Sequence, residues 1–580
     1  MRRIGIDVGG TNTDAVLLED GHVMHAVKTP TTPEVTAGIV TALGELVRHP
    51  AVARGAIDGV VIGTTHFVNA VVQRRDLARV AAVRIGLPAS ASLPPFCDWP
   101  EDLAHSVRGE VFMLEGGHDY DGRPIVPFDE AGMRQAARRI RQSGIRSVAV
   151  AAIFSPLDPS CEERARAILA EECPEAAVTL SHDLGRIGLL ERENAALLNA
   201  ALVELARTTV AGFSRAIAAS GIAAPLYLTQ NDGTVMAADI AAALPVMSFA
   251  SGATDSMRGA AFLSGLSDAM VIDVGGTSTD VGQLRRGFPR EANSVVEIGG
   301  VRTLFRMPDL LSIGLGGGSV VERDPLAVGP QSVGYRLTRE ALVFGGDTLT
   351  ATDAAVAAGL AAIGDTGAVA GLSRDLVAAV LEEARAKIED SVDRMKTEAG
   401  DLPLIAVGGG AFLVPRRVIG ISEVIHVPHG DCANAVGAAI AQISGETDQV
   451  YRDLPRAEAI ALAEAQAKER AVAAGADRAS LATVDVEDMP LAYLPGNALR
   501  VRVRVAGEMA APSPAQPGAS PATLEMATAW LRPFKARLPI SSRVTLPSTA
   551  VATRLLSRIW PSRASPQSRD ARLVTVPIAV

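Results

Sequence analysis

Two nine-residue strings carry most of the chemistry that this sequence suggests. IDVGGTNTD occupies 6–14 and IDVGGTSTD occupies 272–280, an offset of 266 positions with one residue changed. Each begins as an apolar strand, breaks at a Gly-Gly pair and returns through Thr-x-Thr-Asp, the pattern of a β-hairpin with a polar tip. The glycines Gly9, Gly10, Gly275 and Gly276 let backbone N–H groups approach an anion with no Cβ in the way. Thr11, Thr13, Thr277 and Thr279 add hydroxyl donors. Asp7 and Asp273 stand at the strand ends, where a carboxylate holds Mg²⁺ through water. This is a phosphate cradle built on a hairpin. It is not a Walker loop, because no Gly-Lys-Ser/Thr follows and no helix starts there. A single copy reads equally well as an ordinary glycine hairpin; the second copy, with each Asp, Gly and Thr repeated, favours the cradle.

Two such hairpins facing each other across a cleft would grip the β- and γ-phosphates of ATP from both sides, with Asp7 and Asp273 sharing the metal. Asp14 and Asp280, which end the strings, either orient water or substrate or cap the turns. A third element must take the adenosine. LPLIAVGGGAFLVP (402–415) suits it, since a strand running into Gly408, Gly409 and Gly410 allows close backbone approach.

The elements that must position these residues read as α/β. A third strand is expected after each hairpin, over 22–27 in the first copy, so a three-stranded unit is duplicated. Residues 60–75 read as strand, Gly-Thr-Thr turn and helix. The run 147–154 is apolar throughout, as a buried parallel strand is, and a helix follows over 159–172. A long helix is expected over 194–220, another over 455–475, and a strand pair beyond it. Glu191, Arg192, Glu193 and Asn194 read as charge and cap chemistry at a helix start. Thr350, Thr352 and Asp353 read first as an N-cap. Four units are expected: 1–190, 191–453, a small α+β region over 454–507, and a basic, Pro/Ala/Ser-rich tail over 508–580 read as disordered.

Bulk properties exclude several classes. A formal charge of -10 argues against a nucleic-acid protein. Cys97, Cys161, Cys173 and Cys432 are scattered, with no zinc or disulfide spacing, which fits a reducing cytoplasm. No signal peptide is visible, and no uninterrupted apolar run reaches the ~18 residues of a membrane span.

The motifs together resemble the actin/hexokinase/Hsp70 ATPase superfamily and, within it, the hydantoinase/oxoprolinase family. Beyond the two cradles, the resemblance rests on IGTTHFVNAVVQR (62–74), SIGLGGGSV (312–320), GGDTLTATDAAVAAG (345–359), VGGGAF (407–412) and VIHVPHGDCANAVGAA (424–439), in family order. It implies duplicated ribonuclease-H-like lobes with mixed sheets and a cleft between them, with ATP and Mg²⁺ as cofactors. It also implies phosphorylation of a substrate oxygen, leading to opening of a cyclic amide such as a hydantoin, 5-oxoproline or a lactam. The alternatives are a subunit of an ATP-dependent carboxylase acting on a ketone, or a nucleotide-switched binding protein. A separate B-type subunit and an oligomeric state are expected. The chain departs from the family near 309–312 and 329–334, which leaves the substrate open. His66, Asp309, Gly316 and Gly317 are the substrate-side candidates.

Overall fold

The computed structural model describes residues 1–510 apart from 10, 32–34, 51, 53–56, 185–186, 293–294, 305–306 and 493–495. The first string folds into the antiparallel strands Arg2–Val8 and Asn12–Glu19, and the chain returns as His22–Pro30. The second folds into Ala269–Val274 and Thr279–Arg285, followed by the short strand Phe288–Pro289. The register is the same in both: Asp7 lies opposite Asp14, and Asp273 opposite Asp280. Directly opposed residues share a face, so each hairpin presents two carboxyl groups side by side.

In each copy the first strand then pairs in parallel with a later one, Gly59–Thr64 in the first and Leu402–Val407 in the second. Leu226–Thr229 and Ile421–His426 come next, so both sheets run third, second, first, fourth, fifth. This is the ribonuclease-H-like unit twice over, the actin-like ATPase fold, as the family resemblance implied.

The first sheet continues past its fifth strand through Thr234–Ala237, Gln442–Tyr451, Leu499–Gly507 and Ala482–Pro490. Helix Arg456–Ala473 covers that end, burying Ala459, Ala463, Ala467 and Ala471 at four-residue spacing. The sheets therefore divide the chain differently from the linear reading. The boundary drawn at 190/191 falls inside helix Leu189–Ala219, and the strands and helix of 454–507 complete the first sheet. Glu508, at the start of the expected tail, accepts a hydrogen bond from Arg3 at 2.6 Å; from 511 onward the tail lies outside the described residues.

The two lobes carry insertions at different points. In the first, a parallel sheet ordered Arg108–Glu115, Val80–Leu87, Ser147–Ala152, Ala177–Leu180 lies between the fourth and fifth strands. In the second, the insertion follows the third strand. Its hairpin Val296–Ile298/Val301–Thr303 crosses to the other lobe, where Val296, Ile298 and Val301 join the core built on Ile4, Ile6 and Leu43. Helix Leu189–Ala219 has the length and apolarity of a membrane span, but 72% of its most apolar window is buried in the protein.

The chain passes from the first sheet to the second through helix Ser251–Ser264 and returns through helix Ala433–Ile440. These two helices cross at glycines. A Cβ on Gly259 would sit 1.9 Å from the carbonyl oxygen of Ala433, and one on Gly437 would sit 1.8 Å from that of Asp255.

Candidate functional site

The two turns close identically. Gly9 N–H donates to the Asn12 carbonyl at 3.0 Å, and Gly275 N–H donates to the Ser278 carbonyl at 2.9 Å. They meet head to head where the lobes touch: a Cβ on Gly276 would lie 2.6 Å from Oγ1 of Thr11. Gly10 falls outside the described residues. Thr11 and Thr277 are half-buried at the tips, whereas Thr13 and Thr279 are fully buried. The Thr279 hydroxyl donates to the Leu315 carbonyl at 2.6 Å, and Thr13 Oγ1 lies 3.4 Å from Thr31 Oγ1. These inner threonines thus fasten each hairpin into its own lobe, and the outer pair faces the junction.

Each turn has a separate support. Thr31 donates its hydroxyl to the Gly9 carbonyl at 2.8 Å and its N–H to the Thr11 carbonyl at 3.0 Å. On the other side Gly317 N–H donates to the Gly275 carbonyl at 3.0 Å, and Gly318 N–H to the Gly276 carbonyl at 2.7 Å. A Cβ on Gly316 would lie 2.7 Å from the Thr277 nitrogen, so only glycine fits there. The Thr352 hydroxyl donates to Gly317 at 2.7 Å, while Thr350 and Asp353 form the capping box of helix Ala351–Ala357. Gly316 and Gly317, expected on the substrate side, therefore brace the second turn from below. Asp309, also expected there, is ion-paired with Arg290 at 2.5 Å. It lies beyond the pairing of Leu310 with Gly282, at the end of the strand away from the turn.

Beside each turn stand two carboxyl groups, Asp7 with Asp14 and Asp273 with Asp280. Asp7 is 4% exposed and accepts a hydrogen bond from Asn434, which stands on the helix that returns the chain to the first sheet. Burial, and then repulsion from Asp14 and Asp273, holds Asp7 well above the ordinary carboxyl range. Asp273 is raised chiefly by burial. Asp280, which accepts a hydrogen bond from Ser312, is pushed up to about 6 by burial with a further contribution from the Asp273 charge. Asp14 is raised by burial against the opposing pull of Lys28, whose ammonium lies 2.6 Å away.

A fifth carboxyl group, Asp255, is fully buried on helix Ser251–Ser264. Its Oδ2 accepts from the Thr229 hydroxyl at 2.8 Å, and its Oδ1 has no hydrogen-bond partner. Burial, with the Asp7 charge adding to it, holds Asp255 well above the ordinary range. Asp7 and Asp255 flank Gly63, where a Cβ would come within 2.3 Å of Asp255 Oδ2 and 3.3 Å of Asp7 Oδ1. So many buried carboxyl groups opposing one another's ionisation make a place that a cation relieves. Among the described residues no three His, Cys, Asp or Glu side chains converge as a preformed metal cluster. A site of one or two carboxylates, such as Asp7 and Asp273, suits Mg²⁺, which keeps several waters and takes one or two carboxylates together with phosphate oxygens.

The third glycine run sits beside this centre. A Cβ on Gly408 would lie 2.2 Å from Asp273 Oδ1, and Gly410 N–H donates to the Val274 carbonyl at 2.7 Å. Gly409 alone of the three faces open space. On the first-lobe side, Gly63 and Thr64 pair with Asp7 and Val8, so helix His66–Gln73 starts level with the first turn. A Cβ on Gly252 would lie 3.4 Å from Thr65 Cγ2 and 3.7 Å from Asp7 Oδ1. The Asn69 amide donates to Thr65 Oγ1 at 3.3 Å. Burial lowers the pKa of His66 and keeps its imidazole neutral at pH 7.

Asn434, Asp255, Lys28 and Ser312 were absent from the sequence-based candidates. Asn434 lies within VIHVPHGDCANAVGAA, and an acid amid the small residues of SGATDS was a signal for Asp255. The 191–194 stretch is also more than surface cap chemistry. Arg192 is fully buried and donates to the carbonyls of Ile187, Gly188 and Ala152, and Glu193 is ion-paired with the fully buried Arg84.

Comparisons with known proteins agree with the fold. A family model described as the hydantoinase/oxoprolinase N-terminal region matches residues 3–173, and the hydantoinase/oxoprolinase model matches 192–366, together more than half of the chain. The chain is 29% identical over 401 residues to the acetophenone carboxylase gamma subunit of Aromatoleum aromaticum, covering 61% of this chain and 53% of that one. It is 25% identical over 390 residues to caprolactamase subunit alpha of Pseudomonas jessenii, covering 62% and 55%. The matched stretches thus span about half the length of these curated relatives. The crystal structure of the ATP-dependent caprolactamase of Pseudomonas jessenii shares the fold, with a TM-score of 0.68 at 20% identity over 90% of both chains.

Proposed function

This chain belongs to the hydantoinase/oxoprolinase family, and we propose that it is the ATP-using subunit of a cytoplasmic enzyme that phosphorylates and opens a cyclic amide such as a hydantoin, 5-oxoproline or a lactam. The observation that carries this reading is the head-to-head meeting of the duplicated turns, a Cβ on Gly276 falling 2.6 Å from Oγ1 of Thr11, with the Asp273 charge bearing on Asp7.

In this reading the backbone around Gly9, Thr11, Gly275, Gly276 and Thr277 lines the phosphates. The open face at Gly409, between Gly408 and Gly410, takes the nucleoside. Asp7 and Asp273 hold Mg²⁺, which when bound neutralises charge on the transferring phosphoryl group. An amide carbonyl is a poor electrophile. Attack of its oxygen on the γ-phosphorus breaks the bond to the bridging oxygen and releases ADP. Loss of the amide proton leaves an O-phosphorylated imidate. Water adds to its carbon and the C–N bond breaks as nitrogen takes a proton. The acyl phosphate that remains is hydrolysed to carboxylate and phosphate. Asp14 and Asp280 orient the acceptor and the water. Neutral His66, with Asn69, faces the ring.

Similarity to a carboxylase subunit supports a second reading, in which a ketone oxygen is phosphorylated and bicarbonate is required. The relatives are themselves named as subunits, which supports a separate B-type partner chain and an oligomer here.

The test is ATP hydrolysis by the purified chain with Mg²⁺, with hydantoin, N-methylhydantoin, 5-oxoproline and small lactams added in turn. We expect one cyclic amide to stimulate hydrolysis, and Asp7→Ala or Asp273→Ala to abolish it. Stimulation only by a ketone with bicarbonate moves the assignment to the carboxylase reading. Hydrolysis indifferent to every amide and ketone refutes both.

A further inference from the structure

Strand His22–Pro30 runs beside the first hairpin and places Lys28 opposite Asp14. The Lys28 ammonium donates to Asp14 Oδ1 at 2.6 Å and to the Asp431 carbonyl at 3.0 Å. Asp431 belongs to the segment between the last strand of the second sheet and the returning helix, so this one side chain joins both lobes beside the junction of the turns. An ammonium has three donors. Two are spent, and the side chain keeps 34% of its surface exposed while Asp14 keeps only 6%. Lys28 is a positive charge that bears on Asp7 and Asp273 alike. The duplicated string has no counterpart to it: Asp280, the equivalent of Asp14, is met by the neutral hydroxyl of Ser312.

We propose that Lys28 is the cation that contacts the terminal phosphate of the bound nucleotide, and that Asp14 is the positioning residue that aims it. The spare donor hydrogen, the partial exposure and the place beside both turns are what this role requires; a purely structural ion pair would have no use for them. The ammonium stays protonated throughout and transfers nothing. The inference rests on the nucleotide site described above and is independent of which amide or ketone is the substrate.

The experiment is calorimetric titration of the full chain, with Mg²⁺, using a non-hydrolysable ATP analogue and, separately, ADP. Wild type, Lys28→Met, Lys28→Arg and Asp14→Asn are compared. A charge-assisted contact to the terminal phosphate predicts that Lys28→Met loses about ten- to a hundredfold in affinity for the triphosphate and leaves ADP binding unchanged. Lys28→Arg should recover most of the loss, and Asp14→Asn should fall between. If Lys28→Met weakens both nucleotides equally, or neither, the proposal is overturned. Wild type that binds neither nucleotide overturns the nucleotide site itself, a result separable from the others.

Discussion

Asp280→Asn separates a functional strain from a structural role. The Asp280 carboxyl is raised from its ordinary 3.8 to about 6, with burial as the first cause. A group held above its unfolded value binds its proton more tightly in the folded state. Below the unfolded value both states are protonated and nothing is lost. As the pH rises, the unfolded chain ionises first and gains, until the folded carboxyl also ionises near pH 6 and the loss levels off. Two units and a little more correspond to about 3 kcal/mol of stability forgone above pH 7, of which roughly half is already lost at pH 5. Asparagine is nearly the same size, can still accept from Ser312 and does not ionise. The variant should therefore be more stable than wild type in urea, by about 1–2 kcal/mol more at pH 8 than at pH 5. It should also lose substrate-stimulated ATP turnover, because a site that gives up stability for its carboxylate needs that charge for work. Equal stability differences at both pH values would show that Asp280 is not held above its ordinary range, and a stable variant with full turnover would remove Asp280 from the chemistry.

Gly437→Ala must move its Cβ away from an oxygen 1.8 Å off, so the two crossing helices have to part by more than an ångström. We expect a loss of about 1–3 kcal/mol in the first unfolding transition, and a weaker ATP affinity because Asn434 and Asp255 ride on those helices; an unchanged affinity would show that the helix crossing does not set the site. Arg84→Met should destabilise by about 3–5 kcal/mol by stranding the buried Glu193 charge, whereas Arg84→Met with Glu193→Leu should regain most of the loss; equal costs for the single and double variants would contradict the burial of that ion pair.

Much of the first-order fold was legible because it is local. Alternation around a Gly-Gly break specifies a hairpin, and two hairpins of the same string specify two lobes of the same strand order. Less legible were contacts made at long range. Asn434 reaches Asp7 across 427 positions, and nothing in the spacing of either residue announces it. Gly316 and Gly317 are substrate-side candidates by resemblance alone, and the sequence does not show that the glycine run packs against the protein's own second turn. Asp309 is likewise a substrate-side candidate in sequence, and folding pairs it with Arg290, 19 positions earlier. The far edge of the first sheet was missed for a related reason: its strands come after the second lobe, and only the return through helix Ala433–Ile440 shows where they go.

Duplication explains why the string occurs twice but not why the copies diverged in their surroundings. Two equal hairpins would make a symmetric cradle, yet a phosphoryl group is transferred in one direction and needs different chemistry at its two ends. The partners supply the difference. Asp14 is met by an ammonium and Asp280 by a hydroxyl. The first turn is held by Thr31, just past the end of its own third strand, and the second by a glycine run from an insertion. That insertion also sends Val296, Ile298 and Val301 into the first lobe's core, so the bracing of the second turn is tied to helix His66–Gln73, where Arg74 donates to the Gly299 carbonyl at 3.0 Å. In the proposed function the repeated string provides the phosphate contacts common to both lobes, and residues outside the repeat impose direction.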